Sequence, residues 1–287
     1  MYYIELLLLG LIDGSMYALM AIGLTLIYGL LRVLHVAHAG VFVLGAFVAV
    51  FVTNTTGSFI LGFLLAMAIS GLLGMAIYRF IYQPLLDKSP VVALIASIGL
   101  LILMEDGYRL IFGPYGETYA HPPMSTAFSM AGISLSAVQI AMVAISVIFL
   151  SGFAIFINRT RIGVAWRATV SEPEMAASFG VDPVKVHYFN FLIGSILAGA
   201  AGAMVGVLNN FVEPTMGFVV SYKTLAIIVL GGLGSVRGTL IASFGLGIVE
   251  AFGTIFIGHI LDRDAIAFLF MIVVLMIRPQ GLLGQRT

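Results

Sequence analysis

The sequence predicts an all-α, polytopic integral membrane protein with about eight to ten transmembrane or broken helices. Of its 287 residues, 61% are hydrophobic and only 9% are charged, and the mean hydropathy is +1.14. A soluble domain carries about a quarter charged residues, whereas several runs here reach the ~20 apolar residues that a helical span needs. These runs do not alternate as the strands of a membrane barrel would. The fold class therefore follows from composition, run length and periodicity.

Apolar segments follow one another along a single predicted transmembrane domain, residues 1–287. Three of them are short, near residues 39–54, 222–234 and 264–278, and we expect these to be tilted, broken or re-entrant. The predicted spans lie near residues 6–30, 39–54, 58–78, 91–112, 137–158, 188–208, 222–234, 238–258 and 264–278.

Small residues are concentrated in the span near 188–208. Gly194, Gly199, Gly202 and Gly206 alternate there with alanines and a serine. Small side chains let helix backbones approach closely, which is how helices associate in lipid. We expect these glycines to pack against other helices of the same chain.

The basic residues predict that the N-terminus lies outside and the C-terminus inside, with an odd number of spans. In this orientation the outer loop from Gly113 to Ser136 contains no Lys or Arg. Cytoplasmic loops of membrane proteins carry an excess of these residues. The predicted cytoplasmic ones are Arg32, Arg79, Lys88, Arg159, Arg161, Arg167, Lys185, Arg237, Arg278 and Arg286, and the predicted outer ones are Arg109, Lys223 and Arg263.

The longest polar stretch runs from Asn158 to His187, and residues 159–187 form a predicted cytoplasmic loop. Its apolar residues recur with helical spacing, which predicts two short amphipathic helices. Pro173 suits the first turn of the second helix, and Gly180 suits its end. The helical pattern alone leaves two interpretations open: a solvated basic loop, or a docking surface for a cytoplasmic partner.

Four acidic residues lie inside predicted spans: Asp13, Glu105, Asp106 and Glu250. Ionisable groups are costly within a membrane and are candidates for a translocation path. Three of the spans place an acid roughly 10–12 Å below the outer edge, at 1.5 Å per helical residue. One hypothesis is a shared polar cavity open to the outside. The alternative is local pairing, since Glu105 and Arg109 have i, i+4 spacing.

Motifs for covalent or metal chemistry are missing from the sequence. It contains no cysteine, no phosphate-binding G-x-x-x-x-G-K-[ST] loop and no H-E-x-x-H pattern. His35 and His38 follow the first span but lack a third ligand for a metal. We expect them to be histidines at the inner interface. No catalytic residue, metal site or cofactor site is predicted.

Three stretches, in this order along the chain, resemble the permeases of branched-chain amino-acid ABC importers of the LivH type. The first is GLTLIYGLLRVLHVAHAGVFVLGAFV, from Gly23 to Val48. The second is GVAWRATVSEPEMAASFGVDPVKV, followed by FNFLIGSILAGAAGAMVG. The third is LAIIVLGGLGSVRGTLIASFGLGIVE, with RPQGLLG near the C-terminus. No single motif is specific, but the ordered set is, and it covers most of the chain.

This resemblance implies the importer permease fold and a multi-pass subunit in the cell's cytoplasmic or inner membrane. It implies as partners a second permease, identical or homologous, two cytoplasmic ATPase subunits and an extracytoplasmic binding protein, with ATP and Mg²⁺ used by the ATPases. The stretch EMAASFG, Glu174 to Gly180, resembles the family's coupling motif. The resemblance places these residues on or beside an ATPase-docking helix: Arg167, Glu172, Glu174, Ala176, Ala177 and Gly180.

The family pattern leaves the substrate open. Relatives often carry Gly-Glu after the Ala-His pair, whereas here Ala37-His38 is followed by Ala39-Gly40-Val41. The resemblance implies branched-chain or related hydrophobic amino acids, and the family also includes permeases for urea, amides and aromatic or other carboxylates. Glycine-rich spans with buried acids also fit an ion-coupled secondary transporter.

Overall fold

The predicted membrane segments are helical in a computed structural model, which describes residues 2–130 and 133–283. Two short helices, α6 and α7, lie between the fifth and sixth of these segments. A π-helical turn at Tyr78–Tyr82 and a 3₁₀ turn at Gln83–Leu85 extend α3. The helices are α1 (Tyr2–Leu31), α2 (His38–Thr56), α3 (Phe59–Ile77), α4 (Pro90–Phe112), α5 (Ala137–Arg159), α6 (Arg161–Ser171), α7 (Pro173–Ser178), α8 (Pro183–Asn209), α9 (Met216–Gly231), α10 (Val236–Ile257) and α11 (Arg263–Ile277).

Seven helices in the described ranges are long and apolar enough to cross a membrane: α1 to α5, α8 and α10. Two of the segments expected to be short, α9 and α11, have 16 and 15 residues. The largest boundary differences are the starts of α8 and α9, at Pro183 rather than 188 and at Met216 rather than 222. Asp182 caps α8 by accepting hydrogen bonds from the backbone N–H groups of Val184 and Lys185. In α9 the polar residues that masked the start are buried against other helices.

The loop between α4 and α5 contains a β-hairpin that the sequence did not predict. Strands β1 (Ala127–Met130) and β2 (Ile133–Ser136) pair antiparallel, with Ala127 opposite Ser136. Ser136 then starts α5 through a capping box with Gln139. The bridge between Glu117 and Val212 ties this loop to the segment between α8 and α9.

Glycines of α8 lie at the close contacts of the bundle, as expected. Gly194 faces Gly23 of α1, Gly199 faces Ser70 and Ala66 of α3, and Gly202 lies against the carbonyl of Phe42 in α2. An added Cβ would meet backbone atoms of the neighbouring helix at Gly194 and Gly202, and the Ser70 side chain at Gly199. The small residues therefore pack α8 against other helices of the same chain.

Helix α2 begins deep inside the bundle because the chain turns back after α1. His38 Nε2 lies 3.3 Å from the carbonyl oxygen of Met20. Met20 precedes the end of α1 by eleven residues, about 16 Å of helix. The segment near 39–54, which was expected to be tilted, broken or re-entrant, is instead the continuous 19-residue helix α2.

The expectation that His35 and His38 are interfacial was wrong, since both side chains are buried. His35 Nδ1 lies 2.7 Å from the Tyr82 hydroxyl, and the rings of His35 and His38 are 5.8 Å apart. The inward turn at residues 32–37 carries them below the surface, which a count of residues from the end of α1 does not show.

One face of the bundle holds the end of α1, the end of α9, the start of α10 and the C-terminal segment. The hydroxyls of Thr25 and Thr239 are 2.8 Å apart. The Leu282 N–H donates to the Leu230 carbonyl at 2.7 Å. Helix α1 therefore begins at the opposite face. Gly284 and Arg286, which the sequence analysis used, lie outside the described residues.

Candidate functional site

Seven side chains from four helices form an ionic cluster inside the bundle. It lies in the half that holds the start of α1. The cluster consists of Asp13 and Tyr17 of α1, Tyr222 and Lys223 of α9, Glu250 of α10, and Arg263 and Asp264 of α11.

Glu250 is at the centre of the ionic cluster and is fully buried. One carboxylate oxygen lies 2.5 Å from Arg263 Nε and accepts a hydrogen bond from the Tyr17 hydroxyl at 2.7 Å. The other lies 3.2 Å from Lys223 Nζ. A buried carboxylate is stable as an anion only with such compensation. Glu250 therefore joins α10 to α1, α9 and α11.

The two cations of the cluster have further acidic partners. Arg263 Nη2 lies 2.5 Å from Asp13 Oδ2, and Lys223 Nζ lies 2.8 Å from Asp264 Oδ1. The Tyr222 hydroxyl donates to Asp264 at 2.5 Å. Each cation thus bridges two carboxylates, which is a network rather than a set of isolated pairs.

Asp13 and Glu250, two of the four predicted path acids, are brought together through Arg263. Glu105 and Asp106 are elsewhere, on α4, where Arg109 pairs with them at 2.6 and 2.9 Å. The Asp106 side chain is 58% exposed on the surface of the bundle. On α4 the acids therefore pair locally with Arg109, as the alternative hypothesis stated. The four acids do not share one cavity.

Lys223 and Arg263 were missed by the sequence analysis, which counted them only as basic residues on the outer side. The count of basic residues on each side could have identified them. Two cations on the side where basic residues are rare, near acids within spans, call for an ion-pairing explanation. The pairing of Arg263 with Asp13, 250 residues apart, cannot be read from local spacing.

The polar stretch forms the two predicted amphipathic helices, α6 and α7, which we call the α6–α7 segment (Arg161–Ser178). Pro173 is in the first turn of α7, as predicted. Gly180 follows the helix with a φ of +85°. The Gly180 and Val181 N–H groups donate to the carbonyls of Ala177 and Ala176, which is a Schellman motif. The predicted C-terminal role of Gly180 is confirmed.

The predicted docking residues differ in where they face. Glu174 and Ala177 are exposed on α7, Glu172 is exposed between α6 and α7, and Gly180 is exposed after them. Ala176 is buried. Arg167 is half-buried and donates to the Ile157 carbonyl of α5, so its guanidinium turns back toward the bundle.

Two large apolar side chains of this region are mostly exposed in the described part of the chain. Met175 is 60% exposed and Phe179 is 84% exposed. They lie beside Glu174, four residues apart, on one face of the segment. The sequence pattern assigned them, with Ala176, to the apolar face of an amphipathic helix, and only Ala176 of the three is buried against the bundle.

Hydrogen bonds join the α6–α7 segment to the membrane helices. Trp166 Nε1 donates to Asn190 Oδ1 of α8 at 3.0 Å. Asn190 Nδ2 in turn donates to the Leu26 carbonyl of α1 at 2.9 Å. Helix α6 is thus connected to two membrane helices through Asn190.

Within residues 2–130 and 133–283, no group of three or more His, Cys, Asp or Glu side chains could hold a metal ion.

Known proteins similar to this chain are membrane permeases. A family model described as "Branched-chain amino acid transport system / permease component" matches residues 6–277. The chain is 31% identical to the high-affinity branched-chain amino acid transport system permease protein BraD of Pseudomonas aeruginosa, over 99% of this chain and 96% of that protein. It is 29% identical to the corresponding protein LivH of Escherichia coli, with the same coverage.

Two more distant similarities extend this picture. The permease protein LivM of Salmonella typhimurium is 25% identical over 93% of this chain and 67% of that protein. Among solved structures, a chain of PsaBC from Streptococcus pneumoniae in complex with Fab superimposes with a TM-score of 0.53 at 16% identity. That match covers 98% of this chain and 93% of the other, and it supports the fold alone.

The family model spans nearly the whole chain, and the relatives match it from end to end. The chain therefore belongs to the family of branched-chain amino acid transport system permease components.

Proposed function

We propose that this chain is a transmembrane permease subunit of an ATP-driven ABC importer. It forms the translocation path for branched-chain or related hydrophobic amino acids, which an extracytoplasmic binding protein delivers. The similarity to BraD and LivH over 99% of the chain supports this substrate class. Urea, amides and aromatic carboxylates, which the resemblance left open, are not favoured by these relatives.

The observation that carries the proposal is the exposed surface of the α6–α7 segment. Met175 of this segment and Phe179, which directly follows it, are exposed near the acidic Glu174. An exposed apolar patch with a charged border is typical of a protein interface. We assign this surface to docking of an ATPase subunit, with Glu172, Ala177 and Gly180 at its edge. Ala176 and Arg167 support it from the bundle side.

The partner subunits supply the energy in this proposal. Two ATPase subunits bind ATP and Mg²⁺, while this chain performs no covalent chemistry and binds no cofactor. A second permease completes the membrane part, and the similarity to LivM fits a related subunit in that role. Closure of the ATPases moves the α6–α7 segment, and the Trp166–Asn190–Leu26 connection transmits the motion to α8 and α1.

The orientation in the membrane is also part of the proposal. The α6–α7 segment and the C-terminal segment share the face at which α1 ends, which we place in the cytoplasm. The start of α1 then lies outside. The excess of Lys and Arg in the loops of the cytoplasmic face supports this assignment.

The translocation path is proposed to include the ionic cluster. Asp13 and Glu250 belong to this cluster. The cavity beside Asp13 lies in the half of the bundle that we place on the outer side. Glu105 and Asp106 are neutralised in part by Arg109 on the surface of α4 and carry no role in this proposal.

Charge reversal and apolar-to-acid substitution test the docking surface. Glu174→Lys and Phe179→Asp should each weaken association with the ATPase, measured by co-purification of the assembled complex. Tyr115→Asp is the matched control, because Tyr115 is an exposed aromatic residue in the loop between α4 and α5, at the opposite face. Normal assembly and substrate-stimulated ATP hydrolysis in both α7-region variants would refute the assignment.

A further inference from the structure

A cavity of about 220 Å³ lies against the ionic cluster, with room for much more than one water molecule. Its polar wall includes Asp13, Tyr17, Lys223 and Arg263. The remaining wall is mainly apolar and comes from α1, α2, α8 and α9. Met20, Phe42, Val205, Leu208 and Val220 are part of that wall. Charged residues thus line one end of the cavity, and aliphatic and aromatic residues line the rest of its wall.

The charged residues of the cluster divide into those that line the cavity and those behind it. Asp13, Lys223 and Arg263 line it. Glu250 and Asp264 do not, and they hold the two cations from the far side. Each cation is therefore fixed by a carboxylate outside the cavity while it presents charge to the cavity.

The cluster contains three carboxylates, Asp13, Glu250 and Asp264, and two cations, Lys223 and Arg263. Three negative charges against two positive charges leave a formal surplus of one negative charge. Of the three carboxylates, only Asp13 lines the cavity, and the surplus favours a ligand that brings a positive group to it.

We propose that this cavity is a binding subsite for one zwitterionic α-amino acid with an aliphatic side chain. The ligand's ammonium group binds Asp13, its carboxylate binds Arg263 and Lys223, and its side chain contacts the apolar wall. The proposal rests on the importer function and names the ligand chemistry of the same path.

The spacing of the cluster suits this ligand. The ammonium and carboxylate of an α-amino acid are attached to one carbon atom, so their protein partners must be neighbours. Asp13 Oδ2 and Arg263 Nη2 are 2.5 Å apart, and the ligand enters by replacing this pair. Arg263 keeps its second bond, from Nε to Glu250, which holds the planar guanidinium in position while Nη2 donates to the ligand carboxylate in place of Asp13.

A purely structural cluster would behave differently. If the ion pairs only hold α11 against α1 and α10, their loss would change stability without changing which ligands bind. A zwitterion subsite predicts that ligands lacking either charge bind weakly. The preference for the ammonium group should depend on Asp13 in particular.

The test measures labelled L-leucine binding to the assembled complex in lipid nanodiscs, without the binding protein. Competitors are L-leucine, 4-methylpentanoic acid, which lacks the ammonium group, and 3-methylbutylamine, which lacks the carboxylate. For the natural chain, both analogues should compete roughly ten-fold or more weakly than leucine. In the Asp13→Asn variant, the affinity for leucine should fall by a similar factor. Leucine should then bind no more tightly than 4-methylpentanoic acid. Asp106→Asn is the matched control and should bind as the natural chain does.

Several results would overturn the proposal. These are no leucine binding to the complex, equal competition by the three compounds, or an Asp13→Asn variant that keeps both affinity and discrimination. If Asp13→Asn does not assemble, Val220→Trp decides, because it fills the cavity from α9 and should abolish leucine binding. Unchanged binding in that variant would refute the subsite. Binding-protein-stimulated ATP hydrolysis is scored in parallel, so failure of the subsite is distinguishable from failure of the importer function.

Discussion

At the scale of single residues, a few charged side chains connect several helices of the bundle. Glu250 bonds to three residues on three other helices and is fully buried. Asp13 and Glu250 were identifiable from the sequence because acids within apolar runs are rare. Their partners, Lys223 and Arg263, were not, because the pairing depends on how α9 and α11 pack against α1 and α10.

Removal of the central carboxylate should destabilise the protein strongly. Glu250→Ala removes the ion-pair partner of the buried Lys223 and the acceptor of the Tyr17 hydroxyl at a fully buried position, at a cost of about 3–5 kcal/mol. Asp106→Ala removes an exposed partner of Arg109 and should cost under about 1 kcal/mol. Unfolding of the purified variants by heat or denaturant measures both. Equal stability of the two variants would show that the ionic cluster does not support the fold.

The small residues of α8 give a second prediction. In Gly202→Ala the new methyl group would overlap the Phe42 carbonyl, and α2 and α8 must separate. We expect a loss of about 1–3 kcal/mol of stability. Gly245→Ala is the control, since nothing lies within 4 Å of an added Cβ there. In thermal unfolding, Gly202→Ala should unfold at a lower temperature than Gly245→Ala. Equal unfolding temperatures would argue against the close contact.

At the scale of elements, the predicted segments correspond to helices, and the errors have identifiable causes. The starts of α8 and α9 were placed too late because polar residues there were taken as loop. In α8 Asp182 caps the helix, and in α9 Ser221, which lay outside the predicted span, is buried. The deep start of α2 and the burial of His35 depend on a chain reversal that hydropathy does not encode. The hairpin of β1 and β2 lies in a loop where apolar periodicity is weak.

The connection between α6 and the bundle should matter for energy transfer more than for assembly. Trp166→Phe keeps the ring but removes the hydrogen bond to Asn190, worth about 0.5–1.5 kcal/mol. We expect normal co-purification of the ATPases, with less substrate moved per ATP hydrolysed in proteoliposomes. Ser178→Ala removes a hydrogen bond within α7 only and should leave this ratio unchanged. An unaltered ratio in Trp166→Phe would mean that motion passes by another route.

At the scale of the whole molecule, the membrane class and family followed from the sequence, since both depend on composition and on ordered motifs. The arrangement of the helices did not, and it decides which candidate residues meet. Asp13 and Glu250 meet, whereas Glu105 and Asp106 stay on α4 with Arg109. The docking role of the α6–α7 segment stays a proposal, supported by its exposed apolar residues.

The orientation can be tested directly, because the chain has no cysteine and each introduced thiol is unique. Tyr115→Cys lies between α4 and α5, and Asp87→Cys lies between α3 and α4, both at exposed positions. We expect a membrane-impermeant maleimide to label Tyr115→Cys in intact spheroplasts, and Asp87→Cys only after the membrane is opened. The reverse pattern would invert the proposed topology.

The most direct test of the importer assignment is purification of this chain from its native membrane in mild detergent, followed by mass spectrometry and an ATPase assay. The account predicts two ATPase subunits, a second permease, and ATP hydrolysis that rises with a binding protein loaded with a branched-chain amino acid. A chain that purifies alone, and moves solute into vesicles under an ion gradient without ATP, would contradict it.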